Sequence, residues 1–158
     1  MTTVLPSTTD DCIRLCEITQ EPLDLVQIHS CVADTRAGAA VLFVGSVREF
    51  TEVDGECLTT TRLRYDAYEA MAERTMWEIG SAAAQRWSLT AIAAAHRIGN
   101  LQLGDLAVVV AVSSPHRNAS FEAGQWILEE IKTRVPIWKR EHWSDGREAW
   151  QHPAGGTP

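Results

Sequence analysis

Two lysines near the C-terminus offer the most direct chemistry in this sequence. In "EEIKTRVPIWKRE", Lys132 and Lys139 stand seven residues apart around Val135-Pro136. At about 100° per residue, Phe121, Gly124, Leu128, Ile131 and Val135 form one helical stripe, and Lys132 projects to its edge, about 20° from Phe121. A lysine there either snorkels its ammonium outward along an apolar wall or serves a pocket. Pro136 favours the pocket: it cannot extend the helix and pushes Val135 out of helical geometry, so Lys139 belongs to a new element. In an extended "IWKREHW", Ile137, Lys139, Glu141 and Trp143 share one face. A helix-to-strand corner then brings both lysines together between apolar walls. Partial burial and a second cation favour a neutral amine, whereas Glu141 favours the ammonium, and both protonation states stay open at this point.

A second cluster lies in "SSPHRNASF". Asn118 is the expected N-cap, which sets His116 and Arg117 just before a helix start. Free amides, the positive helix end and an arginine make an anion site; the alternative is a turn arginine paired with a surface carboxylate. Arg48, at the exit of "LFVGSVR", is either a second anion ligand or an ordinary strand-end ion pair. His96-Arg97 repeats the His-Arg pair with no helix start after it and reads as structural.

These residues need elements to hold them. "CIRLCEI" alternates as a half-buried strand, and "PLDLVQIHSCV" carries Leu23, Val26 and Ser30 at helical spacing with Pro22 in the first turn. "GAAVLFVGSVREF" is a buried strand that delivers Arg48 at its exit. Residues 51–60 hold an Asp-Gly turn signal and read as a mobile loop or hairpin. "TRLRYDAY" alternates as a strand, and a long helix follows from about residue 69 to 87. "LTAIAAAHRIG" and "DLAVVVAVSS" are two further strands joined by the turn-like "GNLQLGD". The last helix leads into "IWKREHW" and, after Asp145-Gly146, a short "REAW". Residues 1–10 read as a disordered lead and 152–158 as a flexible tail, so 11–151 form one α+β domain of mixed strand and helix order.

Bulk properties exclude several functions. A chain of 158 residues, 45% hydrophobic and 22% charged, suits one soluble domain. A net charge of −7 argues against nucleic-acid or anionic-membrane partners, both of which need a basic face. A local basic pocket in such a chain suits a small anionic ligand. Cys12, Cys16, Cys31 and Cys57 show no metal-type spacing and read as reduced and structural. No signal-like or bilayer-length apolar run is present in the sequence, so the expected location is the cytoplasm.

"AAVLFVGSVREF", "LRYDAYEAMAE", "HRIGNLQLGDLAVVVAVSSPHRNASFEA" and "IKTRVPIWKRE", in that order, resemble the large, catalytic subunit family of molybdopterin synthase from about Cys12 to Trp150. The resemblance implies an α/β-hammerhead-like single domain with a mixed or antiparallel sheet and two or three helices, acting as a homodimer within a heterotetramer. It implies a sulfurtransferase of molybdenum cofactor biosynthesis that converts cyclic pyranopterin monophosphate into molybdopterin. The sulfur comes from the C-terminal thiocarboxylate of a small ubiquitin-like carrier ending in Gly-Gly. By motif, Lys132 and Lys139 match the catalytic lysines. Arg48, His116 and Arg117 match substrate-binding residues, with Ser46 and Val47 beside Arg48, Arg140 and Glu141 beside Lys139, and Phe43 lining the pocket. No cofactor or metal is implied. The sequence departs from the family in "YDAY", where Tyr-Glu-Ala-Tyr is usual, and in the long "TEVDGECLTTT" after Arg48. Its terminal "GGTP" is not a sulfur-carrier tail, so the carrier is expected to be a separate protein. From the residues alone, a phosphate-ligand binding module or a dimeric scaffold that docks an acidic tail are the competing readings.

Overall fold

Strand periodicity and two proline-bounded helices account for most of the architecture. The computed structural model describes residues 9–151. The expected lead and tail fall outside this range, apart from Thr9 and Asp10, which open a 3-10 turn, Thr9–Cys12. A four-stranded mixed sheet takes the order β1 (Ile13–Thr19), β5 (Ala91–Arg97), β7 (Leu106–Ser114), β2 (Ala39–Ser46). Only the β1–β5 pair is parallel. Strand β7 is buried almost throughout, as its unbroken apolar run requires when both faces are covered. Period two then sorts the side chains. Ala91, Ala93, Ala95, Val109 and Ala111 pack against Ile28 and Val32 of α1 (Leu25–Val32). On the other face, Ile92, Ala94, Val108, Val110 and Val112 pack against α2 (Glu69–Arg86) and α3 (Arg117–Arg134).

The second sheet is antiparallel and built on the 12-residue β4 (Glu56–Ala67). β3 (Phe50–Val53) joins it through a two-residue turn, with φ of 50° at Asp54 and 80° at Gly55. Two successive positive φ values are those of a type I′ hairpin, where Asp-Gly is favoured. The 51–60 segment is therefore a hairpin. On β4's other edge lies β8 (Ile137–Trp143), flanked by β9 (Glu148–Gln151). The supposed plain turn "GNLQLGD" contains a further short strand, β6 (Gly99–Leu101), paired to β4. Val47, Leu63, Leu101 and Ala107 form a small buried cluster between the two sheets. This is the expected α+β, hammerhead-like single domain, with three α-helices among the described residues. None of those helices is long and apolar enough to cross a membrane.

Three local expectations are corrected. Helix α1 starts at Leu25 behind Asp24, whose side chain accepts from the amides of Val26 and Gln27, and Val26 itself is exposed. Helix α3 starts at Arg117 with an extended His116 in the cap position, so Asn118 lies inside the first turn. The same helix buries Ser120, Ala123, Gly124, Ile127 and Ile131, while Phe121 is 61% exposed. The buried residues recur at helical spacing from Ser120, a face turned away from the one drawn through Phe121.

Candidate active site

The corner between α3 and β8 forms as its sequence requires. Val135 leaves the helix at φ −74°, ψ 129°, its amide bonded to the Ile131 carbonyl, and β8 begins directly after Pro136. Lys132 on the last helical turn and Lys139 on β8 then line one cavity of about 480 Å³, whose apolar wall includes Val108, Leu128, Ile131 and Ile137. They are the only lysines in the sequence. Lys132 is exposed and keeps its ammonium 6.0 Å from the Phe43 ring centroid, a cation–π contact that seats Phe43 at the same site.

Lys139 is paired. Its ammonium lies 3.3 Å from Glu141 Oε2, an ion-pair contact whose angles fall short of a hydrogen bond. Glu141 is 1% exposed. Its Oε1 accepts from the hydroxyl of Thr51 at 2.6 Å and from that of Thr60. Burial alone would raise the Glu141 pKa, but the two hydroxyls and Lys139 outweigh it and hold the carboxyl below its ordinary value. Glu141 is thus ionised, the condition under which it secures the ammonium.

Three polar residues of this cavity carried no signal in the motifs: Tyr65, His96 and Gln151. Period two would have found His96, since it follows Ile92 and Ala94 on the face of β5 turned to α2 and α3. Its Nδ1 lies 2.8 Å from the Arg97 carbonyl, which can only accept, so Nδ1 carries the proton and Nε2 the lone pair. Burial lowers its pKa to about 4 against that carbonyl's opposing pull, and the ring stays neutral. It packs edge-on to Tyr65 at 4.9 Å. Burial and the Glu141 charge push the Tyr65 hydroxyl up to about 12, so it too is neutral. Gln151 stands opposite Lys139 in the β8–β9 register.

The other expected site residues divide. Arg48 is exposed after β2, and among the described residues it makes no ion pair, so the strand-end pairing does not form. Ser46 is exposed beside it. Val47 turns inward, 3% exposed against Leu63 and Ala107. Arg140 alternates away from Lys139 onto the outer sheet face, where it pairs with Glu148 and covers Trp150. His116 and Arg117 line a separate, shallower pocket of about 440 Å³ with Gly38, Ala39 and Asn118. Arg117 also lacks an ion pair among the described residues. At about 1.5 Å per residue, Lys132 lies about 22 Å along α3 from Arg117. One chain therefore does not bring the lysine pair and the His-Arg pair together.

The four cysteines are free, and burial followed by the nearby Glu73 raises the Cys16 thiol to about 12. No group of three or more metal-ligating side chains gathers among the described residues. The arrangement suits charge stabilisation: two cations at an apolar wall, one of them anchored, can bind an oxyanion that forms there.

Comparison with known proteins agrees in sequence and fold. The family model described as "MoaE protein" matches residues 18–134. The chain is 43% identical over 141 residues to a molybdopterin synthase catalytic subunit from Staphylococcus epidermidis, covering 89% of this chain and 91% of that one. The crystal structure of molybdopterin synthase from Staphylococcus aureus superposes with a TM-score of 0.78 at 41% identity, covering 85% of this chain and 95% of the other. A complex of subunits 1 and 2 of the molybdopterin-converting factor from Helicobacter pylori shares the fold, with a TM-score of 0.64 at 23% identity over 85% and 88% of the two chains.

Proposed function

The chain belongs to the MoaE family, enzymes of molybdopterin synthesis, and from that premise we propose that it transfers sulfur from a carrier thiocarboxylate to cyclic pyranopterin monophosphate. The carrier is a separate small ubiquitin-like subunit whose Gly-Gly tail enters the lysine cavity. The Helicobacter pylori neighbour, itself a two-subunit complex, is in keeping with such a partner. The observation that carries this reading is the convergence of the only two lysines on one cavity with an apolar wall and a buried counter-charge.

The thiocarboxylate sulfur attacks an electrophilic pterin carbon as the C–O bond at that carbon breaks and the oxygen leaves with a proton, so the sulfur becomes bonded to both pterin and carrier carbonyl. Water then adds to that carbonyl, the C–S bond breaks, and the carrier leaves as a carboxylate with the sulfur retained on the pterin. The tetrahedral intermediate bears an oxyanion, which Lys132 and Lys139 stabilise from the cavity wall. Arg48, His116 and Arg117 hold the phosphate and pterin. The span of α3 between the two clusters supports a composite site in which His116 and Arg117 come from the second copy of a homodimer.

The test is reconstitution with thiocarboxylated carrier and the pyranopterin. Lys132→Ala and Lys139→Ala should each reduce turnover by at least about 100-fold, the scale of losing an oxyanion-stabilising group. Wild-type turnover in both variants would defeat the assignment. Pterin held unchanged in the presence of loaded carrier would identify a binding module instead.

A further inference from the structure

We propose that Thr51 and Thr60 are positioning residues for Lys139, acting through Glu141; this rests on the reading of Lys139 as a catalytic group. The geometry is a continuous buried chain. Thr51, Thr60 and Glu141 are 8%, 1% and 1% exposed. The two threonine hydroxyls lie 3.2 Å apart and could pair with one another. An ionised carboxylate only accepts, however, so both hydroxyls are drawn to Glu141 Oε1. With Oε1 occupied twice, the carboxylate cannot rotate freely. Its other oxygen, Oε2, has no hydroxyl partner and faces the Lys139 ammonium at 3.3 Å. The threonines thereby fix the point on the cavity wall at which Lys139 holds its charge.

The backbone is adapted to this end. In the β4–β8 ladder, Arg62 opposes His142 on the outer face, while Leu63 and Tyr65 oppose Glu141 and Lys139 on the inner face. Strict alternation from Arg62 would also turn Thr60 outward. The register instead shifts between Thr60 and Arg62, and Thr60 opposes the inward-facing Trp143. This one-residue bulge reverses the parity and places the Thr60 hydroxyl on Glu141. Thr61, the extra residue, is exposed and donates to the His142 carbonyl. Thr51 arrives from β3, across the hairpin. The hairpin segment after Arg48 is thus the part of the chain that secures Lys139.

Valine replaces threonine with little change of shape and no hydroxyl, whereas serine keeps the hydroxyl. In reconstituted turnover, Thr51→Val and Thr60→Val should each lower kcat about tenfold with KM for the carrier nearly unchanged, and the serine variants should restore it. A second readout is independent of turnover. Because the sequence has only two lysines, acetylation mapped by mass spectrometry gives a Lys139-to-Lys132 ratio within one molecule. That ratio should rise several-fold in the valine variants, since acetylation takes the free amine and a Lys139 nitrogen no longer held against its carboxylate can shed its proton and react, and stay at the wild-type value in the serine variants. Should Thr60→Val fail to fold, Thr51→Val carries the test. Folded valine variants with wild-type kcat and an unchanged ratio would overturn the proposal. Full activity in Lys139→Ala would instead defeat the underlying assignment of Lys139, leaving the acetylation ratio to judge whether the threonines hold it.

Discussion

His96 gives this fold a defined sensitivity to mild acid. The ring is 7% exposed, faces Tyr65 edge-on and donates from Nδ1 to the Arg97 carbonyl. Burial lowers its pKa to about 4, against 6.5 for the free side chain. Between those values the unfolded chain binds more protons than the folded one, so stability rises with pH across that window. The contribution is complete above about pH 6.5 and is lost as the pH falls towards 4. At about 1.4 kcal/mol per pH unit, the full interval is worth about 3 kcal/mol. His96→Phe removes the titration and keeps a ring against Tyr65. It also loses the bond to Arg97, which lowers stability at every pH but does not tilt the curve. Urea unfolding followed by tryptophan fluorescence at about pH 7.5 and about pH 4.5 separates the two effects. The advantage of wild type over His96→Phe should shrink by about 2.5 kcal/mol between those conditions. Parallel stability curves for the two proteins would refute the account of His96 as a buried neutral base.

Two further outcomes follow from contacts at and around the site. Glu141→Gln and Lys139→Met, measured singly and together, should show a coupling of about 1–2 kcal/mol in unfolding free energy, below the range for fully buried pairs because the Lys139 side chain is 29% exposed. Strict additivity would mean that the ion pair contributes nothing. Gly38→Ala would place a Cβ 2.5 Å from the Pro115 carbonyl oxygen, too close for any contact without backbone movement. It should cost about 1–3 kcal/mol by thermal melting and weaken binding of the pyranopterin through displaced His116 and Arg117; an unchanged melt would refute the close packing.

The sequence made the lysine corner legible because its determinants are local. Pro136 excludes helical geometry on the chain before it, and alternation alone sets Lys139 and Glu141 on one face and Arg140 on the other. Taken strictly, that alternation already removes Arg140 from the cavity, which the motif resemblance did not. The Asp54-Gly55 turn was also legible, because few pairs of residues accept two positive φ values. What stayed hidden depended on partners distant in the chain. The Thr51 and Thr60 contacts to Glu141 span 90 and 81 residues, and no local pattern announces a bulge at Thr60. The helix stripe failed at Phe121 because the buried face starts at Ser120, whose hydroxyl is satisfied by the Ser114 hydroxyl and gives no apolar signal in the sequence. Asn118 has the better capping chemistry, but the extended turn after Pro115 leaves His116 at the helix boundary.

The length of α3 has a genetic consequence. Since Arg117 and Lys132 sit about 22 Å apart along α3, the composite site proposed above would draw the His-Arg pair and the lysine pair from different copies. A Lys139→Ala chain and an Arg117→Ala chain, each inactive by itself, then complement each other. Random pairing of equal amounts makes about half of the dimers mixed, and each mixed dimer assembles one site from two intact halves and one from two damaged halves. About a quarter of the wild-type sites return on mixing, a recovery that neither lesion could show if every site were built within a single chain.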